Sequence, residues 1–194
     1  SLLALKRRLG ALPDGATVLI GAPPNPYRCP PGPYERASLI AWQLRERRGK
    51  VLIADAKDDF SKRGLFQFAW DVLYPGRIEW IPRIEGGEVL AVDTDRGEVR
   101  LANGERLRPE LASIVPPQMA ALPCQRADLV DSSGWCPVHG RNLESTRHAG
   151  VHVIGDAAAV HPVPKSAFAG NSSAKLCASA IVAALRGEAP PSPR

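Results

Sequence analysis

Thr17-Val18-Leu19-Ile20-Gly21, followed by Pro26-Tyr27-Arg28-Cys29-Pro30-Pro31-Gly32-Pro33-Tyr34-Glu35, is the stretch on which the fold turns. An apolar run opens it, and a helix follows. Pro33 suits a first helical position, and Ala37, Ile40, Ala41 and Leu44 recur at the spacing of one buried helix face. Gly49 is the expected helix end, and Lys50-Val51-Leu52-Ile53-Ala54-Asp55 is a second buried strand closed by an acid. Strand, loop, helix and strand in this order begin a dinucleotide-binding unit, whose first loop is ordinarily rich in glycine. Here the loop carries Pro23, Pro24, Pro26, Pro30, Pro31 and Pro33 instead. Proline has no N–H, so the donors that a pyrophosphate needs are missing. The loop therefore reads as a stiff holder for the Cys29 thiol, with the Glu35 carboxylate about one helical turn further on. Asp55 has two readings, an acid that holds ribose hydroxyls and a turn or cap before Asp58-Asp59-Phe60-Ser61; the second is preferred.

Outward from that unit, residues 1–9 read as a helix ended by Gly10, and Pro13-Asp14-Gly15 as the turn into the first strand. Ser61 is an expected cap of a helix running to about Tyr74, with Phe66, Ala69, Trp70 and Leu73 inside. Pro75-Gly76 breaks it, and Ile78–Ile81 is a third strand. Residues 87–93 and 98–101 with a turn at Asn103-Gly104 signal an antiparallel flap. A last apolar strand, 111–115, stops at Pro116-Pro117, where a domain boundary is expected. Beyond it, Val151-His152-Val153-Ile154 reads as a strand running into Gly155-Asp156-Ala157. An alanine-rich helix follows, its buried side expected at Ala174, Cys177, Ala178, Ile181 and Leu185 and its stop at Gly187.

Composition narrows the classes. A chain of 194 residues with 44% hydrophobic content can bury a core. The net charge of +5 sits in Lys6-Arg7-Arg8 and in 45–50, at helix ends without interleaved aromatics, which is dipole complementation and not a nucleic-acid face. No signal peptide is visible, and the longest wholly apolar or small run, 176–185, is short for a bilayer; no transmembrane segment is expected. The four cysteines show no C-x-x-C spacing. Cys136 and His139, with Cys124 nearby, lack a fourth zinc ligand, so burial is the better reading and no metal site is expected. Cys177 reads as packing, and His148, His152 and His161 carry no acid or metal pattern. The last residues, 189–194, read as disordered.

Longer strings carry a resemblance. Arg28-Cys29-Pro30-Pro31-Gly32-Pro33-Tyr34-Glu35-Arg36-Ala37, Phe60-Ser61-Lys62, Ile78-Glu79-Trp80, Val115-Pro116-Pro117-Gln118, Gly134-Trp135-Cys136-Pro137-Val138, Val151 to Ala157 and Pro164-Lys165-Ser166 occur in order. Together they resemble the flavoprotein subunit of flavocytochrome c sulfide dehydrogenase, a relative of sulfide:quinone oxidoreductases. The resemblance implies an α/β chain in three parts. Residues 1–117 would be a Rossmann-like three-layer domain with an antiparallel flap, of the NAD-binding type but without NAD. Residues 118–187 would be the returning half of an FAD-binding domain, and 188–194 a tail toward a further domain. It also implies an internal fragment, inactive alone, that lacks the first FAD segment and the second cysteine of the redox disulfide.

In such a protein Cys29 would be the redox cysteine facing the flavin and Glu35 the proton carrier for sulfide. Asp156, with Gly155 and Ala157, would hold a ribityl hydroxyl of FAD, while Gln118 and Lys165 would lie near the pyrimidine edge of the ring. Electrons would pass to a c-type cytochrome subunit, and the location would be periplasmic. Against these roles stand plainer ones: a buried core thiol for Cys29, a dipole-stabilising acid for Glu35, a solvated side chain for Lys165. Two other readings of the whole chain remain, an NAD(P)H-dependent flavin reductase and a non-catalytic fragment that docks a cytochrome.

Overall fold

The computed structural model describes residues 2–189. Ser1 and 190–194 lie outside the described residues, and with them most of the expected tail and its disorder. The chain divides into two compact units, one of residues up to 25 with 31–117, the other of 26–30 with those from 118 onward.

The first unit runs α1 (Leu2–Gly10), β1 (Thr17–Ala22), α2 (Gly32–Gln43), β2 (Lys50–Asp55), α3 (Arg63–Leu73), β3 (Ile78–Ile81), β4 (Val89–Asp93), β5 (Glu98–Leu101), β6 (Arg106–Leu107) and β7 (Leu111–Ile114). Four strands form a parallel sheet in the order β3-β2-β1-β7. The continuous apolar runs of β1 and β2 suit strands covered on both faces. Side chains alternate along a strand, so Val18, Ile20, Val51 and Ile53 enter a core shared with Tyr34, Ala37, Ile40, Ala41 and Leu44, while Leu19 and Ala54 enter a second core with Val99 and Leu101. The second core is roofed by the antiparallel β4-β5-β6 sheet. Helices, parallel sheet and flap are the three layers expected of this α/β unit.

Helix ends depart from the sequence reading. The α2 helix stops at Gln43 with Leu44 as its cap residue, well before Gly49. Arg77 donates to the cap carbonyl of Leu44 (3.1 Å) and to Arg47 O in the turn beyond it, and so holds the helix end from outside. Gly49 serves close approach instead: a Cβ there would lie 2.9 Å from Leu44 Cδ1 and 3.0 Å from the Ala16 carbonyl. Ser61 does not cap α3; Lys62, in a left-handed conformation (φ 62°), turns the chain into the helix. Of the expected inner face Trp70 is buried, Phe66 and Ala69 are half-buried, and Leu73 faces solvent.

The second unit is sparser: α4 (Leu122–Arg126), a two-strand parallel pair β8 (Cys136–Pro137) and β9 (Ala158–Ala159), and α5 (Ala167–Leu185). Ala120, Trp135, Cys136, Val153 and Ala158 form its core. The expected strand at 151–154 makes one bridge, Glu144 to His152, with Ser145 N–H donating to Val151 O (2.7 Å) and Val153 N–H to Leu143 O (3.0 Å). Leu143 lies at φ 59°, and this kink in the partner segment stops a ladder from extending. Along α5 the buried residues are Cys177, Ala180 and Ala183, whereas Ala178, Ile181 and Leu185 are exposed. A helix made largely of alanine and serine offers little periodicity from which to choose its face. By length and composition alone α5, with mean hydropathy 1.2, is long and apolar enough to cross a membrane. Asn171, Ser172, Ser173, Lys175 and Ser179 interrupt it and argue against a span. Gly187, at φ 71°, ends it in the left-handed conformation that suits glycine.

Candidate functional site

Residues 26–30 belong to the second unit, and their shape follows from their prolines. Pro26 and Pro30 fix the backbone on both sides, Tyr27 is buried, and its hydroxyl donates to Pro30 O. The bend falls on Cys29, at φ 56°. A side chain held there costs about 1–2 kcal/mol, and such strain persists only where neighbours over-determine it. Here they do: the Cys29 N–H donates to Lys165 O (2.8 Å), and the Arg28 N–H to Gln118 Oε1 (3.0 Å). The Cys29 side chain is exposed and unbridged.

Arg28 ties the loop to its surroundings. Its guanidinium donates to Gln118 Oε1 (3.3 Å) and Met119 O (3.1 Å), lies 5.5 Å from the Trp135 ring centre, and has Nε 3.7 Å from Asp156 Oδ2. The Arg28 and Asp156 side chains are each 40% exposed, so the pair is worth under about 1 kcal/mol and leaves the carboxylate available to a ligand. Asp156 sits in a single helical turn, Gly155–Ala157. Gly155 is at φ 66° with open space where a Cβ would be, and Gly170, in the first turn of α5, approaches it closely. Ser166 caps α5 by accepting from Ala169 N–H (3.2 Å), so the positive end of that helix lies beside the turn.

Lys165 is the buried cation of the site. Its ammonium donates to Asp156 O (2.7 Å) and Ala158 O (2.9 Å) and lies 3.7 Å from the Trp135 ring centre. Burial pushes its pKa below the ordinary lysine value, with Arg28 adding to the fall and Asp156 and Cys136 opposing it. Cys136 is buried beside Cys124, and burial first, then the Cys124 thiol, push its pKa up to about 11. No group of three His, Cys, Asp or Glu side chains poised for a metal occurs among the described residues.

Cys29, Gln118, Gly155, Asp156, Ala157 and Lys165 thus converge within one unit. Glu35 falls in the other, exposed in the first turn of α2, with no side-chain partner among the described residues. Sequence reasoning gave Arg28 and Trp135 no role, although both stand in the motifs quoted for other reasons. It also missed what Asp55 does. That carboxylate is fully buried and accepts from Tyr34 Oη (2.6 Å), Lys57 Nζ (2.6 Å), Trp80 Nε1 (2.9 Å) and the Lys57 N–H (3.1 Å). With four donors in hand, it has no capacity left for a ribose.

A parallel sheet with its flap in one unit, and a Gly-Asp turn before a helix N-terminus in the other, define the class: a Rossmann-type α/β fold. Solved structures share that fold. A chain of the mitochondrial ATP synthase F1Fo tetramer of Tetrahymena thermophila is 18% identical with a TM-score of 0.67, over 96% of this chain and 47% of that one. The ferredoxin reductase for the CYP199A2 system from Rhodopseudomonas palustris is 16% identical with a TM-score of 0.59, over 98% and 45%. The covalent putidaredoxin reductase–putidaredoxin complex gives 17% and 0.58, over 97% and 44%. The chain therefore spans under half the length of these relatives. Residues 2–116 match the family model described as the central part of the sulfide dehydrogenase [flavocytochrome c] flavoprotein chain. The chain belongs to that family, one of flavoprotein oxidoreductases.

Proposed function

We propose that this chain is part of an FAD-dependent sulfide dehydrogenase that passes electrons to a c-type cytochrome. The observation that carries the reading is the convergence of an exposed, strained Cys29 with the Asp156 turn through Arg28 and Lys165. The residues suit FAD: Asp156 is half-exposed and only weakly paired, Gly155 leaves room beside it, and a helix N-terminus favours negative charge there. FAD bound here would supply a two-electron acceptor that can hand electrons on singly.

Each residue then has a task. Asp156 would hold a ribityl hydroxyl of FAD, as the family resemblance implies, and Gln118 and Lys165 would lie toward the pyrimidine edge of the ring, Lys165 lending positive charge from its place against the Asp156 carbonyl. Cys29, joined in a disulfide to a cysteine outside this chain as the family resemblance implies, is attacked by HS⁻. The old S–S bond breaks, its second sulfur leaves as thiolate, and Cys29 carries the new sulfur as a persulfide. The persulfide proton leaves to a carboxylate or to water; Glu35, exposed in the first turn of α2, is the carrier that the family resemblance implies. Prolines at 23, 24, 26, 30, 31 and 33 withhold the N–H groups on which a pyridine nucleotide would rest. A periplasmic location goes with this reading.

The test is anaerobic titration of the flavin-loaded parent protein with sulfide, followed by addition of oxidised cytochrome c. Flavin bleaching followed by haem reduction, both lost in Cys29→Ser, is the expected result. Rapid bleaching by NADH with indifference to sulfide would replace the proposal with a pyridine-nucleotide reductase. No flavin bound by the parent protein would leave only a docking role.

A further inference from the structure

Two cations hold the Cys29 loop, and they differ in what they have left to give. Lys165 is buried, its ammonium on the Asp156 and Ala158 carbonyls (2.7 and 2.9 Å) and against the Trp135 ring. It can fix the turn but cannot meet a molecule arriving from water. Arg28 can. A guanidinium carries five N–H groups, of which one donates here to Gln118 Oε1 (3.3 Å) and one to Met119 O (3.1 Å). Nε lies 3.7 Å from Asp156 Oδ2, beyond hydrogen-bond reach. The remaining N–H groups have no hydrogen-bond acceptor among the described residues, and the side chain is 40% exposed. The head group is also fixed in place. Gln118 Oε1 accepts from the Arg28 N–H (3.0 Å) as well as from Nη1, which folds the side chain back toward its own backbone, and the Trp135 ring centre is 5.5 Å away. Cys29 follows directly, exposed, at φ 56°, with its N–H on Lys165 O (2.8 Å). Consecutive Cα atoms are about 3.8 Å apart. Whatever approaches the sulfur therefore passes through the field of the guanidinium, which extends about 8–10 Å at ordinary ionic strength.

We propose that Arg28 is a specificity-determining residue, one that brings the anion hydrosulfide to Cys29 in preference to neutral hydrogen sulfide. The inference rests on the sulfide reading of Cys29 given above and assigns a residue to the choice of substrate form. Only the anion is a ready nucleophile toward a disulfide, and a neutral molecule gains nothing from a fixed positive charge. One unit charge a few ångströms away across a wet surface raises the local concentration of an anion about threefold to tenfold, and added salt screens the effect away. Arginine suits the task because it stays charged across the working pH range, so that selection follows the ionisation of the substrate alone. Its unused N–H groups can donate to an arriving anion while Gln118 and Met119 keep the head group in place. Among the charged groups that contact the loop, Arg28 and Lys165 outweigh the Asp156 carboxylate, so the local balance stays positive.

The first experiment needs neither sulfide nor flavin. In the reduced full chain, Cys29 is alkylated with iodoacetate, an anion, and in parallel with iodoacetamide, its neutral analogue, and the Cys29 adduct is followed by mass spectrometry of a digest. Both reagents meet the same thiolate in the same loop, so the ratio of their rates is blind to changes in exposure or ionisation of the thiol. In Arg28→Met the iodoacetate-to-iodoacetamide ratio should fall about threefold to tenfold at low salt. Arg28→Lys should keep most of the native ratio, and near 1 M salt, where the Debye length is about 3 Å, the three proteins should agree. In the flavin-loaded parent protein, Arg28→Met should raise the KM for sulfide by a similar factor, more than it lowers kcat. A ratio unchanged in Arg28→Met would overturn the proposal. So would an equal fall in Arg28→Lys, which would mark a loop held by shape and not by charge. The two readings fail separately: a sulfide-reducible parent with an unchanged ratio removes the role of Arg28 alone, whereas a parent flavin indifferent to sulfide, with the ratio behaving as expected, removes hydrosulfide as the anion and the proposed function with it.

Discussion

Replacing Asp55 by asparagine tests the first unit at its most exposed physical weakness. In the native protein the carboxylate receives Tyr34, Trp80 and the Lys57 ammonium in a site from which water is excluded. Asparagine keeps the shape but removes the charge and turns one acceptor into a donor, so at least one buried donor loses its partner. Lys57 keeps its bond to Pro23 O (2.8 Å). Breaking a buried pair in this way costs about 3–5 kcal/mol, a large share of the roughly 5–15 kcal/mol by which a domain is stable. The reverse change, Lys57→Met, leaves the carboxylate three donors and should cost only about 1–3 kcal/mol. The double variant, with no buried charge, should be more stable than Asp55→Asn alone. Burial already depresses the Lys57 pKa below its ordinary 10.5 despite Asp55, and without the acid it falls further. The unfolded chain then binds the proton more tightly than the native one, so stability rises with pH between the depressed value and 10.5. The Asp55→Asn deficit should shrink accordingly as pH rises toward 10.5. Urea unfolding followed by far-UV circular dichroism measures all four proteins. A Lys57→Met penalty equal to that of Asp55→Asn, or an Asp55→Asn penalty that grows with pH, would refute the reasoning.

Gly87→Ala should be among the most damaging single changes in the first unit, because its Cβ would collide with the Ile81 carbonyl. A loss of about 3 kcal/mol or more is expected in urea unfolding, against about 1 kcal/mol for Gly97→Ala, which has open space around it and only its φ of 63° to oppose it. Lys165→Met removes two charged hydrogen bonds and a ring contact and should destabilise the second unit by about 2–4 kcal/mol, seen as faster hydrogen exchange around Trp135 and Ala158. Timed alkylation at mildly alkaline pH should modify Cys29 first and Cys136 and Cys177 last. For Cys136 the rise from 9.0 to about 11 lowers the thiolate fraction about a hundredfold before access is considered.

The first unit could be read closely from its sequence because β1 and β2 are apolar without a break and α2 has a face of residues three and four apart. These are local signals, and the strands lie where they point. What escaped is decided by partners distant in the chain. Arg77 holds the end of α2, Lys62 rather than Ser61 starts α3, and Leu143 bends away the neighbour that the strand at 151–154 needed. At the site, Cys29 and Asp156 stood out because a thiol among prolines and an acid after an apolar run are each unusual. Arg28 and Trp135 did not, since an arginine in a loop and a buried indole look ordinary until their contacts are seen. The role of Asp55 was equally hidden: nothing near it in the chain announces Tyr34 and Trp80.

The five residues 26–30 interrupt the first unit in sequence yet count with the second. Heredity therefore cannot move this site as one block. A recombination at residue 117 would deliver the Gly-Asp turn to a new neighbour while leaving the sulfur behind, so the two stretches must be inherited, exchanged or engineered as a matched set.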